Sequence, residues 1–346
     1  MTKPDRGTML SPRIGVVSRT ETTAATSGGT LGEVRTLAED GDLRPPSVDY
    51  VVVAYRSERH LGACLDAIDA DRPHGASVIV VDNASPDSSA DVARRHPSHP
   101  RLLVSPRNLG FGGACNLAAD ACGADLLFFV NPDARPTRGT TAGLIAAIEA
   151  DPSLAAVGPR IHDRAGDLRA ASAGFEPSLR SVAGHFLLLA RLPLVGRLFR
   201  PLQLPSGSPT QLVDWVGGAA LMVRRDAFRD IGGFDASMFL YMEDVDLCRR
   251  LRATGRTIRY EPGVAVEHDL GGSQGTEQAE RWFAAFHRYL VRQRGTTYAR
   301  VASALAAVGL GLRAALLVVR RPVRGRRLAR AAWTAAGLAI GTHEPG

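Results

Sequence analysis

The chain has 346 residues, 45% hydrophobic and 22% charged, the numbers of a soluble globular protein long enough for one large α/β domain or two small ones. Its net charge of +7 is uneven: from Arg281 onward twelve arginines face one acid, Glu344, a local +11 that leaves −4 for the rest. Four cysteines (Cys64, Cys115, Cys122, Cys248) have no metal-type spacing, which argues against a zinc-cysteine site and reads as reduced, small apolar residues of a cytoplasmic protein.

Residues 1–47 read as a mobile leader ending at Pro45-Pro46, with six basic and six acidic residues through Pro46 and no apolar stretch of signal-peptide type. Val48 to Tyr55 is the first expected strand, and Arg56-Ser57-Glu58 opens a helix running to about Ile68. Val78–Val81 is the second, ending in Asp82-Asn83-Ala84-Ser85-Pro86-Asp87, so that a buried strand delivers a carboxylate to the sheet edge. A helix of about a dozen residues, a third strand (Arg101–Val104) and the glycine-rich loop Asn108-Leu109-Gly110-Phe111-Gly112-Gly113 follow. That loop does not have the spacing of a dinucleotide fingerprint; its glycines let the backbone approach a ligand or a neighbouring element.

Leu126-Leu127-Phe128-Phe129-Val130 reads as a strand buried on both faces, and the alternation from Val48 to Val130 predicts a parallel sheet. Asn131 before Pro132 is held extended, which aims Asp133 from the strand end toward an arriving ligand. A carboxylate there suits Mg²⁺ or Mn²⁺ on a diphosphate, although Asn-Pro-Asp is also ordinary turn chemistry. A helix (Thr140 to Ala150) and a short strand near Ala156–Gly158 complete the first half.

His185 to Leu204 mixes leucine and phenylalanine with Arg191, Arg197 and Arg200; it fits either a membrane surface or a helix packed on the sheet. Asp214 to Val223 reads as a glycine-containing turn running into a strand. Next comes an acidic cluster, Glu243-Asp244-Val245-Asp246, at a helix start, where unpaired N–H groups stabilise carboxylates. Segments Arg259–Pro262 and Val264–Val266 form a last edge strand leading to His268, which matters only if it faces Asp133. The tail, with Val301 to Val319 interrupted by Arg313 and a run of arginines beyond, reads as an interfacial helix on anionic lipid, or alternatively as a helical pair covering the catalytic domain. Almost no aromatic residues accompany its arginines, which argues against nucleic acid.

Taken together, VVVAYRS, VVDNASPD, RNLGFGGACN, VNPDA, DWVGGAALMVRRDAF, IGGFDASMFLYMEDVDLCRRL and the late His268 resemble the family 2 inverting glycosyltransferases. Within that family the likeness is to bacterial rhamnosyltransferases that extend a polyprenyl-diphosphate-linked sugar in cell-wall synthesis. The resemblance runs from about Val48 to His287. It implies a GT-A fold: a mostly parallel central sheet flanked by helices, with a nucleotide-binding half at residues 48–135 and an acceptor half at 136–290; the basic amphipathic helical tail at 291–346 lies outside it. It implies that Val53 and Tyr55 border the nucleotide base, Asp82 accepts from the ring N–H, Asn83, Asn108, Gly110 and Asn131 line the donor pocket, and Asp133 holds a divalent cation with His268. The family commonly carries two aspartates at that strand end; Asn131-Pro132-Asp133 has one fewer, which implies weaker metal binding without donor.

Asp244 is the implied catalytic base, Glu243 positions the acceptor or Asp244, and Trp215, Gly217 and Gly218 form the acceptor wall. Asp246 is a competing base, but in a helix it points about 200° away from Asp244 and reads as structural. The implied donor is dTDP-L-rhamnose and the implied acceptor a lipid-linked glycan at the inner face of the cell membrane. A polyprenyl-phosphate glycosyl synthase, a UDP-sugar-using transferase and a silent glycan-binding scaffold are the competing readings.

Overall fold

A computed structural model of the chain describes residues 45–163, 172–194, 196–205, 207–269, 276–317 and 322–342. The expected leader therefore lies outside the described residues except for its last three. Strand and helix alternate first: β1 (Val48–Ala54), α1 (Leu61–Asp71), β2 (Val78–Asp82), α2 (Ser89–Arg95), β3 (Arg101–Val104), α3 (Gly110–Ala119) and β4 (Leu126–Val130). Next come β5 (Ala134–Pro136), α4 (Thr140–Glu149), β6 (Leu154–His162), β7 (Ala173–Gly174), α5 (Leu179–Phe186) and two 3₁₀ turns (Leu189–Arg191, Gly196–Leu198). The chain continues through β8 (Gln211–Val213), β9 (Trp215–Val216), β10 (Ala220–Arg224), α6 (Arg225–Asp230), α7 (Glu243–Ala253) and β11 (Thr257–His268). It closes with α8 (Thr276–Arg294), α9 (Thr296–Leu317) and α10 (Pro322–Ile340).

The main sheet runs β3-β2-β1-β4-β10-β6-β11-β5, with β8 also on β11. Its first four strands are parallel, as the apolar runs predict, and every residue of β1, β2 and β4 is buried. Beyond β4 the sheet is mixed rather than mostly parallel: β10 runs antiparallel to β4 and β6, and β11 runs parallel to β6 but antiparallel to β5 and β8.

Three local expectations change. Helix α1 starts at Leu61 rather than at Arg56, because Arg56 sits in the left-handed region (φ 54°), which cannot continue a helix. Helix α2 is seven residues long and ends at Arg95, because the next residue, His96, is held extended ahead of Pro97. The expected edge strand is the interior strand β11, twelve residues long; a register shift between Glu261 and Ala265 absorbs Pro262-Gly263 and lets the pairing resume.

The boundary drawn at residue 290 falls inside α8, and α9 and α10 fold back onto the domain. Leu179 N donates to Tyr298 Oη (2.9 Å), His287 Nδ1 lies 2.9 Å from Ser303 Oγ, and a Cβ on Gly309 would sit 2.2 Å from the Phe186 carbonyl oxygen. The tail is thus a helical pair covering the domain, the second of the two arrangements the sequence allows. Of the described helices, α9 is long and apolar enough to cross a membrane by length and composition, with 33% of its most apolar stretch buried against the rest of the protein.

Candidate active site

The carboxyl ends of β1, β2 and β4 converge on one edge, where open α/β sheets bind ligands. Val53 is buried near the end of β1, and Tyr55 beyond it is exposed, with the Arg56 guanidinium 5.6 Å from its ring centroid. Asp82 ends β2: it is buried, its Oδ1 has no partner among the described residues, and burial pushes its carboxyl up against hydrogen bonds from Ser85. A buried acceptor at a strand end facing a ligand edge suits a base N–H.

Asn83 does a different job from the one expected. Only 2% exposed, it donates to Asn108 Oδ1 (3.0 Å) and the Gly110 carbonyl (3.2 Å) and accepts from Leu109 N (2.8 Å), so it positions the loop rather than lining an open pocket. Asn108 Oδ1 in turn accepts from Gly110 N (2.9 Å). Gly110 is required twice over: its φ is 73°, and a Cβ there would meet the Phe239 carbonyl oxygen at 2.6 Å.

Asp133 and His268 do meet. β11 pairs with β5 so that His268 faces Ala134, and Asp269 N donates to the Asp133 carbonyl (2.9 Å). This brings His268 Nε2 to 2.9 Å from Asp133 Oδ1. That separation is a hydrogen bond between the imidazole and the carboxylate; an imidazole nitrogen and a carboxylate oxygen are both donors that a divalent cation takes once that bond is given up, so the chemistry of the pair fits one. No group of three or more His, Cys, Asp or Glu is placed to hold a metal among the described residues, so a cation held by this pair would need a ligand's oxygens to complete its shell.

The acceptor-side residues line a cavity of about 370 Å³. Trp215 forms one wall, its ring lying against Gly174 and its Nε1 donating to the Phe175 carbonyl (3.1 Å). Gly217 and Gly218 form the floor, and Gly218 N donates to Asp244 Oδ2 (2.9 Å). Tyr241 and Met242, both in the left-handed region (φ 68° and 70°), turn the chain sharply into α7 and aim Glu243 and Asp244 into the cavity.

The three acids of this turn differ in surroundings. Burial pushes Asp244 up, opposed by backbone N–H groups of Gly218 and Val245. Glu243 is 7% exposed with Oε2 lacking a partner among the described residues; burial first and the Asp244 charge second push its carboxyl up to about 8. Asp246 is buried outside the cavity lining, against Arg250 Nε (2.6 Å) and Arg249 Nη2 (3.3 Å), the structural role its helical position predicts.

Asn131 joins the two halves: it lines the cavity, and its N–H donates to the Ala219 carbonyl (3.0 Å) two residues before Asp133. Sequence reasoning missed Phe111, Gln278, Trp282 and Phe286, which also line the cavity. Trp282 and Phe286 stack with centroids 5.0 Å apart at 13°. Their i, i+4 spacing was the available signal, but a core-facing helix has the same spacing.

The family model described as "Glycosyl transferase family 2" matches residues 49–232, and "Glycosyl transferase family group 2" matches residues 199–342. The chain is 34% identical over 252 residues to the N-acetylglucosaminyl-diphospho-decaprenol L-rhamnosyltransferase of Mycobacterium tuberculosis (strain ATCC 25618 / H37Rv), covering 69% of this chain and 80% of that protein. It is 25% identical over 256 residues to the rhamnosyltransferase WbbL of Escherichia coli (strain K12), covering 70% of this chain and 92% of that protein. Among solved structures, the mannosyltransferase PcManGT from Pyrobaculum calidifontis, in complex with GDP-Man and Mn²⁺, superposes with a TM-score of 0.59 at 18% identity, covering 87% of this chain and 89% of that one, a likeness of fold.

Proposed function

The chain belongs to glycosyltransferase family 2, and from that premise we propose that it transfers L-rhamnose from dTDP-rhamnose, with inversion, to a hydroxyl of a lipid-diphosphate-linked sugar in cell-wall synthesis. The observation that carries the reading is the cavity itself. It is walled by aromatic side chains that suit a sugar ring, it presents Asp244, and it opens beside the strand end that carries Asp133.

In this mechanism the dTDP base packs at Val53 and Tyr55 with its ring N–H on Asp82. Asp133 and His268 would hold a divalent cation, Mg²⁺ or Mn²⁺, which when bound would supply positive charge to the leaving diphosphate. The acceptor sugar enters between Trp215, Trp282 and the Gly217-Gly218 floor. Asp244 takes the proton of the acceptor hydroxyl as that oxygen forms its bond to the anomeric carbon, and the bond from that carbon to the diphosphate breaks on the opposite face. Burial strengthens Asp244 as a base relative to a solvated carboxylate, while Gly218 N fixes its direction. Glu243 positions the acceptor beside it.

Purified protein with Mg²⁺ or Mn²⁺ is to be offered dTDP-rhamnose, UDP-galactose, UDP-glucose or GDP-mannose together with a GlcNAc-diphospholipid. Release of dTDP from dTDP-rhamnose, dependent on the lipid, is expected; turnover of a UDP-sugar instead would discard the donor assignment. Asp244→Asn is expected to lower kcat by about 10²–10⁴-fold while dTDP binding persists. Full activity in that variant would remove Asp244 from the mechanism.

A further inference from the structure

A second cavity, of about 800 Å³, lies beside the first and shares Gln203 with it. Volumes of this size are those of sites that enclose ligands. Its walls come from α5, the 3₁₀ turns that follow and the outer part of α9. Leu188, Leu192, Phe199 and three prolines make most of the lining apolar, and two arginines, Arg191 and Arg313, are part of it.

The shape is set by close backbone approaches. A Cβ on Gly184 would meet Phe199 Cβ at 2.7 Å, one on Gly196 the Ala190 carbonyl oxygen at 2.6 Å, and one on Gly309 the Phe186 carbonyl oxygen at 2.2 Å. Arg313 is oriented by donating to the His185 carbonyl. Burial first, then Arg313 and Arg191, push the His185 imidazole down to about 4, so both guanidiniums act on the volume around a neutral His185. An apolar trough with two arginines in its lining matches an apolar chain ending in phosphates, because a guanidinium fork binds phosphate oxygens in pairs.

We propose that this second cavity holds the diphosphate and the first prenyl units of the lipid-linked acceptor, with Arg191 and Arg313 on the phosphates, while its sugar passes Gln203 into the cavity at Asp244. The inference deepens the proposed function and rests on it. Leu194 and Leu198, 95% and 61% exposed on the outer side of the same turns, mark the way for the rest of the lipid to leave toward a bilayer.

The test uses the full chain with dTDP and Mg²⁺ filling the donor site, titrated with farnesyl diphosphate, farnesol or inorganic diphosphate in a calorimeter. Farnesyl diphosphate is expected to bind at least tenfold tighter than either of its parts. Arg191→Gln, at an exposed position, and Leu192→Glu, at a half-exposed one, are each expected to weaken it at least tenfold and to raise the KM for a GlcNAc-diphospholipid similarly, with the rise falling on acceptor KM and not on donor KM. Equal farnesyl diphosphate affinity in wild type and both variants would overturn the assignment of the cavity while leaving the transferase reading intact; inorganic diphosphate binding as tightly as farnesyl diphosphate would do the same, by reducing the cavity to an anion site. A wild-type enzyme that turns over its donor on phosphate-free sugars but never on a diphospholipid would remove the acceptor reading and this inference with it.

Discussion

Asp244 and Asp246 sit two residues apart in the first turn of α7 and have opposite surroundings. Asp246 is locked between Arg249 and Arg250, an ion pair whose breaking leaves a buried charge uncompensated, whereas Asp244 keeps its carboxylate in the cavity against Gly218 N. Glu243, the residue before Asp244, gives a prediction with a definite sign. Its carboxyl is raised in the folded protein, so the folded state binds more protons than the unfolded one, and its contribution to stability falls as pH rises from the ordinary glutamate range through about 8. Glu243→Gln removes that dependence. Thermal melts are expected to show the variant gaining on wild type between pH 5 and pH 8, and parallel melting profiles across that range would refute it. The pairing of Asp133 with His268 was legible as a condition in the sequence, since a loop histidine matters only if it faces the carboxylate. The spending of the Asn83 side chain on its own loop was not, because an amide's partner cannot be read from spacing.

Elements that are apolar throughout were the easiest to read. β1, β2 and β4 follow from runs of valine, leucine and phenylalanine, whose burial on both faces leaves little else for them to be. The turn structure was harder, because it depends on non-glycine residues in the left-handed region: Arg56 and Ala84 beyond the ends of β1 and β2, and Tyr241 and Met242 ahead of α7. Nothing in those side chains announces the conformation, and their clustering at the ligand edge is where stored backbone strain is expected. The helical pair was ambiguous for another reason. α9 buries a stripe of small residues (Ala299, Ala302, Ser303, Ala306, Gly309) and exposes Val301, Val308, Leu312 and Leu316, so its composition reads as membrane-seeking while one of its faces packs on the domain. Where α9 crosses α5 the contact is backbone to backbone at Gly309. Gly309→Val is expected to cost about 1–3 kcal/mol through overpacking, read from denaturant unfolding; an unchanged midpoint would mean the two helices do not press together there.

At the scale of the molecule, the exposed stripe of α9 and Trp333 of α10 put apolar side chains on the outside of the helical pair. Exposed Arg326 and Arg327 on α10 add cationic charge to the same helical pair, the combination that seats a protein on an anionic bilayer surface without spanning it. Sedimentation with phosphatidylglycerol vesicles is expected to pull down the wild type, with neutral vesicles doing so at least several-fold less. Leu312→Asp with Leu316→Asp should lower the bound fraction about tenfold. Equal partition of wild type and double variant would show that this face does not meet lipid.

The cavity at Asp244 draws on β9, α7 and α8, whereas Val53, Tyr55, Asp82 and Asp133 all precede residue 134. The family match over residues 49–232 therefore ends before Asp244, and a second match, over residues 199–342, takes in Trp215, Asp244 and the aromatic pair of α8. In the proposed mechanism the donor contacts other than His268 precede residue 134, and the acceptor cavity is lined mostly by later residues, with Phe111 and Asn131 as the early ones. On that mechanism, substitutions in the later stretch would retune which glycan is extended while the contacts to the activated sugar stay as they are, a layout by which one donor would serve several acceptors.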